Sequence, residues 1–239
     1  MTFIRILVSF IFCFFCFILV RIADNYILSE FLRFNEINHD YHLFFIKYKS
    51  GQIDNWTEGK LIFINTMPYI LSVLIGIYLP HFFRYSKRIV QLFITWFSFQ
   101  LVLLFIGSLI SGLLEYKGLG ITLVWFLKYK SIQVIAVVFI LLILWFSIRR
   151  YAWYFIRCMP DCVELFDTTQ KSRYLLRIAL YPFVLSMIVV LSMNSKETLL
   201  NHSISQVTGL LLIVLLFQTL PDVLIPNEIK AAGEDISIN

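Results

Sequence analysis

Charge is scarce in this chain, and where it is missing excludes more than how little there is. Only 15% of the 239 residues are Asp, Glu, Lys or Arg, against about 25% in a soluble domain. Six intervals hold none: Ile6–Val20, Leu61–Phe83, Ile89–Leu114, Ser131–Ile148, Ile178–Ser195 and Thr198–Pro221. A helix needs about 20 largely apolar residues to cross the hydrocarbon. The last five intervals reach or approach that length, and Arg5 and Arg21 extend the first by snorkelling to the headgroups. These segments also lack the polar face that a soluble helix turns to water. The expectation is an all-α integral membrane protein, a bundle of about six transmembrane helices over approximately 2–22, 61–83, 89–112, 131–148, 176–195 and 204–221.

The absence of Asp, Glu, Lys and Arg from those six intervals narrows function. Ion-coupled transporters and proton pumps keep buried charges for their work, and intramembrane aspartyl or zinc proteases need carboxylates or histidines there. Of the histidines only His81 falls inside an expected span, at its edge. Histidine is itself rare, four in all, too few for a multinuclear metal centre, and no H-E-x-x-H spacing occurs. Cys13 and Cys16 spell C-F-F-C, the spacing of a redox pair. They lie inside an apolar span, where nothing generates a thiolate, so packing is the better account. Cys158 and Cys162 supply only two ligands between them. The net charge of +5 suits anionic headgroups and is not arranged as a nucleic-acid surface. The bilayer is the expected partner, with another membrane protein or a second copy of the chain beside it.

Sidedness follows from Lys and Arg near the helix ends. "RYSKR" (Arg84 to Arg88) and the stretch from Arg149 to Arg177 are the densest basic patches, and six spans put both on one side. That places both termini in the cytoplasm of a bacterial inner membrane, a source that the Ile, Phe, Lys and Asn bias fits. No small-x-small cleavage site follows the first segment, which is read as a retained anchor. The organisation is then one polytopic domain over 1–226, with an outer amphipathic loop at 23–60, a basic cytoplasmic loop at 149–175 and a polar tail at 227–239.

What is present in place of charge is concentrated in "NEINHDYH", Asn35 to His42. At 100° per residue, Ile27, Phe31, Phe34, Ile37, Tyr41 and Phe45 gather on one side of a helix, and Arg33, Glu36, His39 and Asp40 on the other. That is the pattern of an interfacial amphipathic helix in the first loop. The same stretch offers a competing reading. Glu36, His39 and His42 follow E-x-x-H-x-x-H, and His202 falls on the same expected side, so the four are candidate metal ligands. Solvation of a helix face is the stronger of the two, and no cofactor is expected.

A second feature lies inside the spans. "PYILSVLI" (Pro68 to Ile75) and "PFVLSMIV" (Pro182 to Val189) share Pro, Leu and Ser at the same offsets. In a three-plus-three division they are the middle spans of two halves, and three spans per half would make the halves run oppositely. Paired Pro-interrupted helices mark the substrate site of inverted-repeat transporters, because proline frees a carbonyl one turn upstream. Asn65, Pro68, Ser72, Gln100, Pro182 and Ser186 are therefore the candidate substrate-lining residues. Against this stand the small apolar alphabet and the failure of the other spans to align. Without a catalytic motif, the leading expectation is a non-catalytic, partner-binding or sensing membrane component. A permease-like unit comes second and a metal-dependent membrane enzyme third.

Overall fold

Thr2 to Phe34 contain neither glycine nor proline, and they form one unbroken helix, α1 (Thr2–Phe34). In a computed structural model the described residues are 2–42, 45–48, 57–115, 119, 122, 129–158, 168–193 and 199–218. The 33 residues of α1 extend about 50 Å at 1.5 Å per residue, well beyond the hydrocarbon thickness of about 30 Å. The helix thus covers the expected first span and continues past it to Phe34.

There the expectation of a separate interfacial helix fails. β1 (His39–His42) and β2 (Phe45–Tyr48) follow instead, as an antiparallel pair with Asp40 opposite Lys47 and His42 opposite Phe45. The misreading has a simple cause. Ile37, Tyr41 and Phe45 recur every four residues, a spacing shared by one face of a helix and one face of a strand. What ends α1 is a Schellman motif. The Ile37 N–H donates to the Leu32 carbonyl at 2.9 Å and the Glu36 N–H to the Arg33 carbonyl at 3.0 Å. Glu36 sits at φ 60°, and Ile37 buries itself with Leu32 and Ile64. Glutamate in the left-handed region costs roughly 1 kcal/mol that glycine does not. Glu36→Gly is accordingly expected to raise thermal stability and Glu36→Val to lower it, as read by fluorescence-detected size-exclusion after heating.

Four helices among the described residues are long and apolar enough to cross a membrane: Phe3–Phe34, Ile62–Phe82, Arg88–Ile110 and Thr169–Ser192. They belong to α1, α2 (Glu58–Phe82), α3 (Arg88–Glu115) and a composite of α5 (Thr168–Leu175), a π turn (Leu176–Leu180) and α6 (Tyr181–Met193). Two further helices among the described residues, α4 (Lys130–Arg157) and α7 (Leu199–Gln218), fall where the other two spans were expected but are not among these four. The Thr57 hydroxyl caps α2 by accepting from the Lys60 N–H at 3.4 Å. Among the described residues the architecture is all-α apart from the hairpin, and it is compatible with an integral membrane protein.

α3 is the axis of the bundle. It packs on α1, α2, α4 and α7, and from Leu101 to Gly107 every residue is buried, as expected for a helix that is apolar all round. Trp96 and Phe99 of α3 meet Tyr151 and Phe155 of α4 and Phe183 of α6, with Trp96–Phe155 ring centroids 4.9 Å apart. The outward faces remain apolar, with Ile70, Leu74 and Tyr78 exposed on α2 and Ile135, Phe139 and Leu142 on α4. Exposed apolar area on this scale marks a surface that meets something other than water.

Two glycines set the closest helix approaches. A Cβ on Gly76 would lie 2.8 Å from Val102 Cγ2 and 2.9 Å from the Ser98 carbonyl oxygen, so α2 sits backbone-close on α3. A Cβ on Gly209 would lie 2.5 Å from Phe183 Cζ and 2.7 Å from Leu103 Cδ1, so α7 sits against side chains of α6 and α3. The Ser72/Gly76 pair is thus a small-residue contact between helices.

Candidate functional site

Proline has no N–H, so Pro80 and Pro182 cannot bond the carbonyls of Gly76 and Ile178, one turn upstream. Both carbonyls have found other donors. The Tyr151 hydroxyl of α4 donates to the Gly76 carbonyl at 2.6 Å. The Ser9 hydroxyl of α1 donates to the Ile178 carbonyl, inside the π turn, at 2.6 Å. Ser9 Oγ in turn accepts the Trp96 indole N–H at 2.8 Å. An orphaned backbone group in hydrocarbon costs several kcal/mol, so these bonds lock α1 to α3 and the π turn, and α2 to α4.

The six candidate lining residues sit on three helices, α2, α3 and α6. Ser72 is buried and donates to the carbonyl of Pro68 within its own helix at 2.8 Å. Pro68 is buried and Asn65 half-buried on the same helix, α2. Gln100 of α3 and Ser186 of α6 do converge. The Gln100 amide donates to Cys13 Sγ at 3.7 Å, and the Ser186 hydroxyl stands beside the same thiol. Ser186 follows Pro182 as Ser72 follows Pro68, yet Ser186 Oγ makes no bond to the carbonyl four residues back. The matching offsets therefore carry different contacts. Cys13 and Cys16 are both fully buried in the main core. No family model, curated protein or solved structure matches the chain.

The metal candidates lie at the hairpin end. His39 uses both ring nitrogens within the protein, Nε2 at 2.7 Å from Ser29 Oγ and Nδ1 at 2.8 Å from the Ile37 carbonyl. Glu36 holds the left-handed turn position. His42 ends β1 and His202 lies in the first turn of α7, with side chains outside the described residues. Among the described residues no three His, Cys, Asp or Glu side chains group to hold a metal ion. The Lys60 ammonium donates to the Asn35 carbonyl at 3.2 Å and ties α2 to the end of α1.

The opposite end of the bundle is aromatic and basic. The Gln91 amide donates to the carbonyls of Arg84 and Ser86, each at 2.7 Å, and pins the turn between α2 and α3. Arg84 Cζ lies 4.6 Å from the Tyr85 ring centroid, and Arg157 Cζ lies 5.6 Å from that centroid and 5.0 Å from that of Trp153. Burial pushes the Tyr154 phenol above its ordinary range, opposed by Arg150, Arg157 and Arg84 around it. Burial likewise pushes the Cys158 thiol up to about 12, which leaves it protonated and inert at neutral pH.

Sequence reasoning missed Ser9, Tyr151 and Pro80. Counting four residues back from each proline marks the vacated carbonyls Ile178 and Gly76. Which distant hydroxyl fills each one is decided by helix packing, which local spacing does not encode.

Proposed function

We propose that this chain is a six-span, non-catalytic membrane component that engages a partner through its hairpin. In this reading both termini are cytoplasmic in a bacterial inner membrane, and α4 and α7 cross with the four longer spans. The carrying observation is the way α1 continues beyond its span as an uninterrupted stem and ends on an ordered, two-stranded element. The Schellman turn, the Ser29–His39 bond and the Lys60–Asn35 bond hold that element in place. A two-stranded sheet has an open edge on each strand, and such an edge accepts a further strand from a partner. A photo-crosslinking residue at Tyr41, exposed on β1, is expected to capture one discrete protein in native membranes. Adducts to lipid alone would remove the partner-binding reading.

A permease-like unit is the second reading, favoured by the meeting of Gln100 and Ser186 at Cys13. The two readings differ in water access. With the other three cysteines changed to serine, Cys13 is expected to resist a water-soluble methanethiosulfonate in the folded protein and to react after unfolding in dodecyl sulfate. Rapid labelling of the folded protein would favour the permease.

A further inference from the structure

Among the described residues the basic end gathers arginines and no carboxylate. Arg84 and Arg157 come from different elements, the α2–α3 turn and the last turn of α4, yet both guanidiniums lie against the ring of Tyr85. Both also line one small cleft with Gln91, Thr95 and Tyr154, and Arg150 adds its field at Tyr154. Like charges gathered at one ring repel each other. Aromatic faces offset part of that repulsion and engage the flat face of each guanidinium, a geometry in which its planar N–H edge can fork an oxyanion. The carboxylates among the described residues are Asp24, Glu30, Glu36, Asp40, Glu58 and Glu115. All belong to the hairpin-side portions of α1, α2 and α3 or to the hairpin itself.

From this juxtaposition we propose that Arg84 and Arg157, braced by Tyr85 and Trp153, bind the phosphate of an anionic phospholipid in the leaflet at that end. Three features favour a lipid phosphate over a soluble one. Arg84 and Arg157 are half-buried where the helices end, at headgroup depth if the helices cross. Tyr85, Trp153 and Tyr154 form the aromatic collar typical of that depth. Phe82 and Ile89 are exposed beside the cleft, as a surface for the acyl chains. Bidentate guanidinium–phosphate bonds supply the recognition.

This proposal rests on the membrane-spanning part of the reading above and not on the hairpin partner. The test uses the full chain, first checked for resistance to carbonate extraction, since a protein released by carbonate overturns the membrane reading itself. Thermal stability and native mass spectrometry are then followed with phosphatidylglycerol, phosphatidylcholine, and soluble glycerol phosphate or inorganic phosphate. Phosphatidylglycerol is expected to raise stability and remain bound, and Arg84→Gln/Arg157→Gln to weaken it at least tenfold. Arg84→Lys/Arg157→Lys should fall between, and Arg33→Gln at the other end should bind as the parent does. Stability of each variant in phosphatidylcholine separates lost binding from lost folding. Equal binding of the two lipids, or full binding by the glutamine variant, overturns the site. Protection by soluble phosphate equal to that by phosphatidylglycerol overturns the lipid assignment.

Discussion

Ser9→Ala is expected to destabilise the bundle by about 2–3 kcal/mol, because one hydroxyl serves two buried groups. Its loss leaves the Ile178 carbonyl without the donor from α1 and the Trp96 indole N–H without its acceptor. Neither group reaches water, since Trp96 and Ser9 are fully buried and Ile178 nearly so. Heating monitored by size-exclusion should show a loss of about 5–10 °C. Pro182→Ala supplies a control with the opposite sign. It returns an N–H one turn below Ile178, so in the Ser9→Ala background it should recover part of the loss. No recovery would mean that the π turn, and not proline, leaves that carbonyl open.

The second large effect is expected at Gly76. Even alanine there brings a Cβ within 2.9 Å of the Ser98 carbonyl oxygen, a backbone atom that cannot rotate away. α2 must then move off α3, at a cost of about 1–3 kcal/mol for alanine and more for leucine. The move also draws the Gly76 carbonyl from the Tyr151 hydroxyl, 2.6 Å away. Gly76→Ala and Tyr151→Phe should therefore be non-additive, the double variant losing less than the two singles together. Gly59→Ala is the matched control, since a Cβ there meets nothing within 4 Å. It should be neutral or mildly stabilising, as alanine favours helix over glycine. Strict additivity of Gly76→Ala and Tyr151→Phe would show that the close approach and the hydroxyl bond are separate features.

Four of the six expected apolar spans were legible because charge is excluded from hydrocarbon at the level of single residues; those expected at 131–148 and 204–221 are not among the four. The expected spans at 61–83 and 89–112 lie within two residues of Ile62–Phe82 and Arg88–Ile110 at every end. The far end of α1 was not legible. Asp24 and Glu30 interrupt the apolar run without interrupting the helix, and what stops it is a glutamate in a position where glycine is usual. The hairpin was misread because a four-residue recurrence is common to both regular structures. Within the candidate site, the proline carbonyls follow from chemistry at fixed offsets. The meeting of Gln100 and Ser186 at Cys13 depends on the rotation of three separate helices, which no single stretch of sequence states.

That rotation is preserved across the π turn. A π turn holds one residue more than the α-helix it interrupts, and each residue turns the helix by about 100°. Excising one residue between Leu176 and Leu180 would let the segment relax to regular α geometry while the residues after it keep their phase, because the wider turn is what absorbs the extra residue. Phe183 would stay in the aromatic core, Ser186 would stay beside Cys13, and Leu185 and Ile188 would stay exposed. The same excision from a regular stretch such as the middle of α3 would swing every later residue round by about 100°. The π turn is thus the one stretch of this helix where a single-residue deletion is expected to leave the packing beyond it in place.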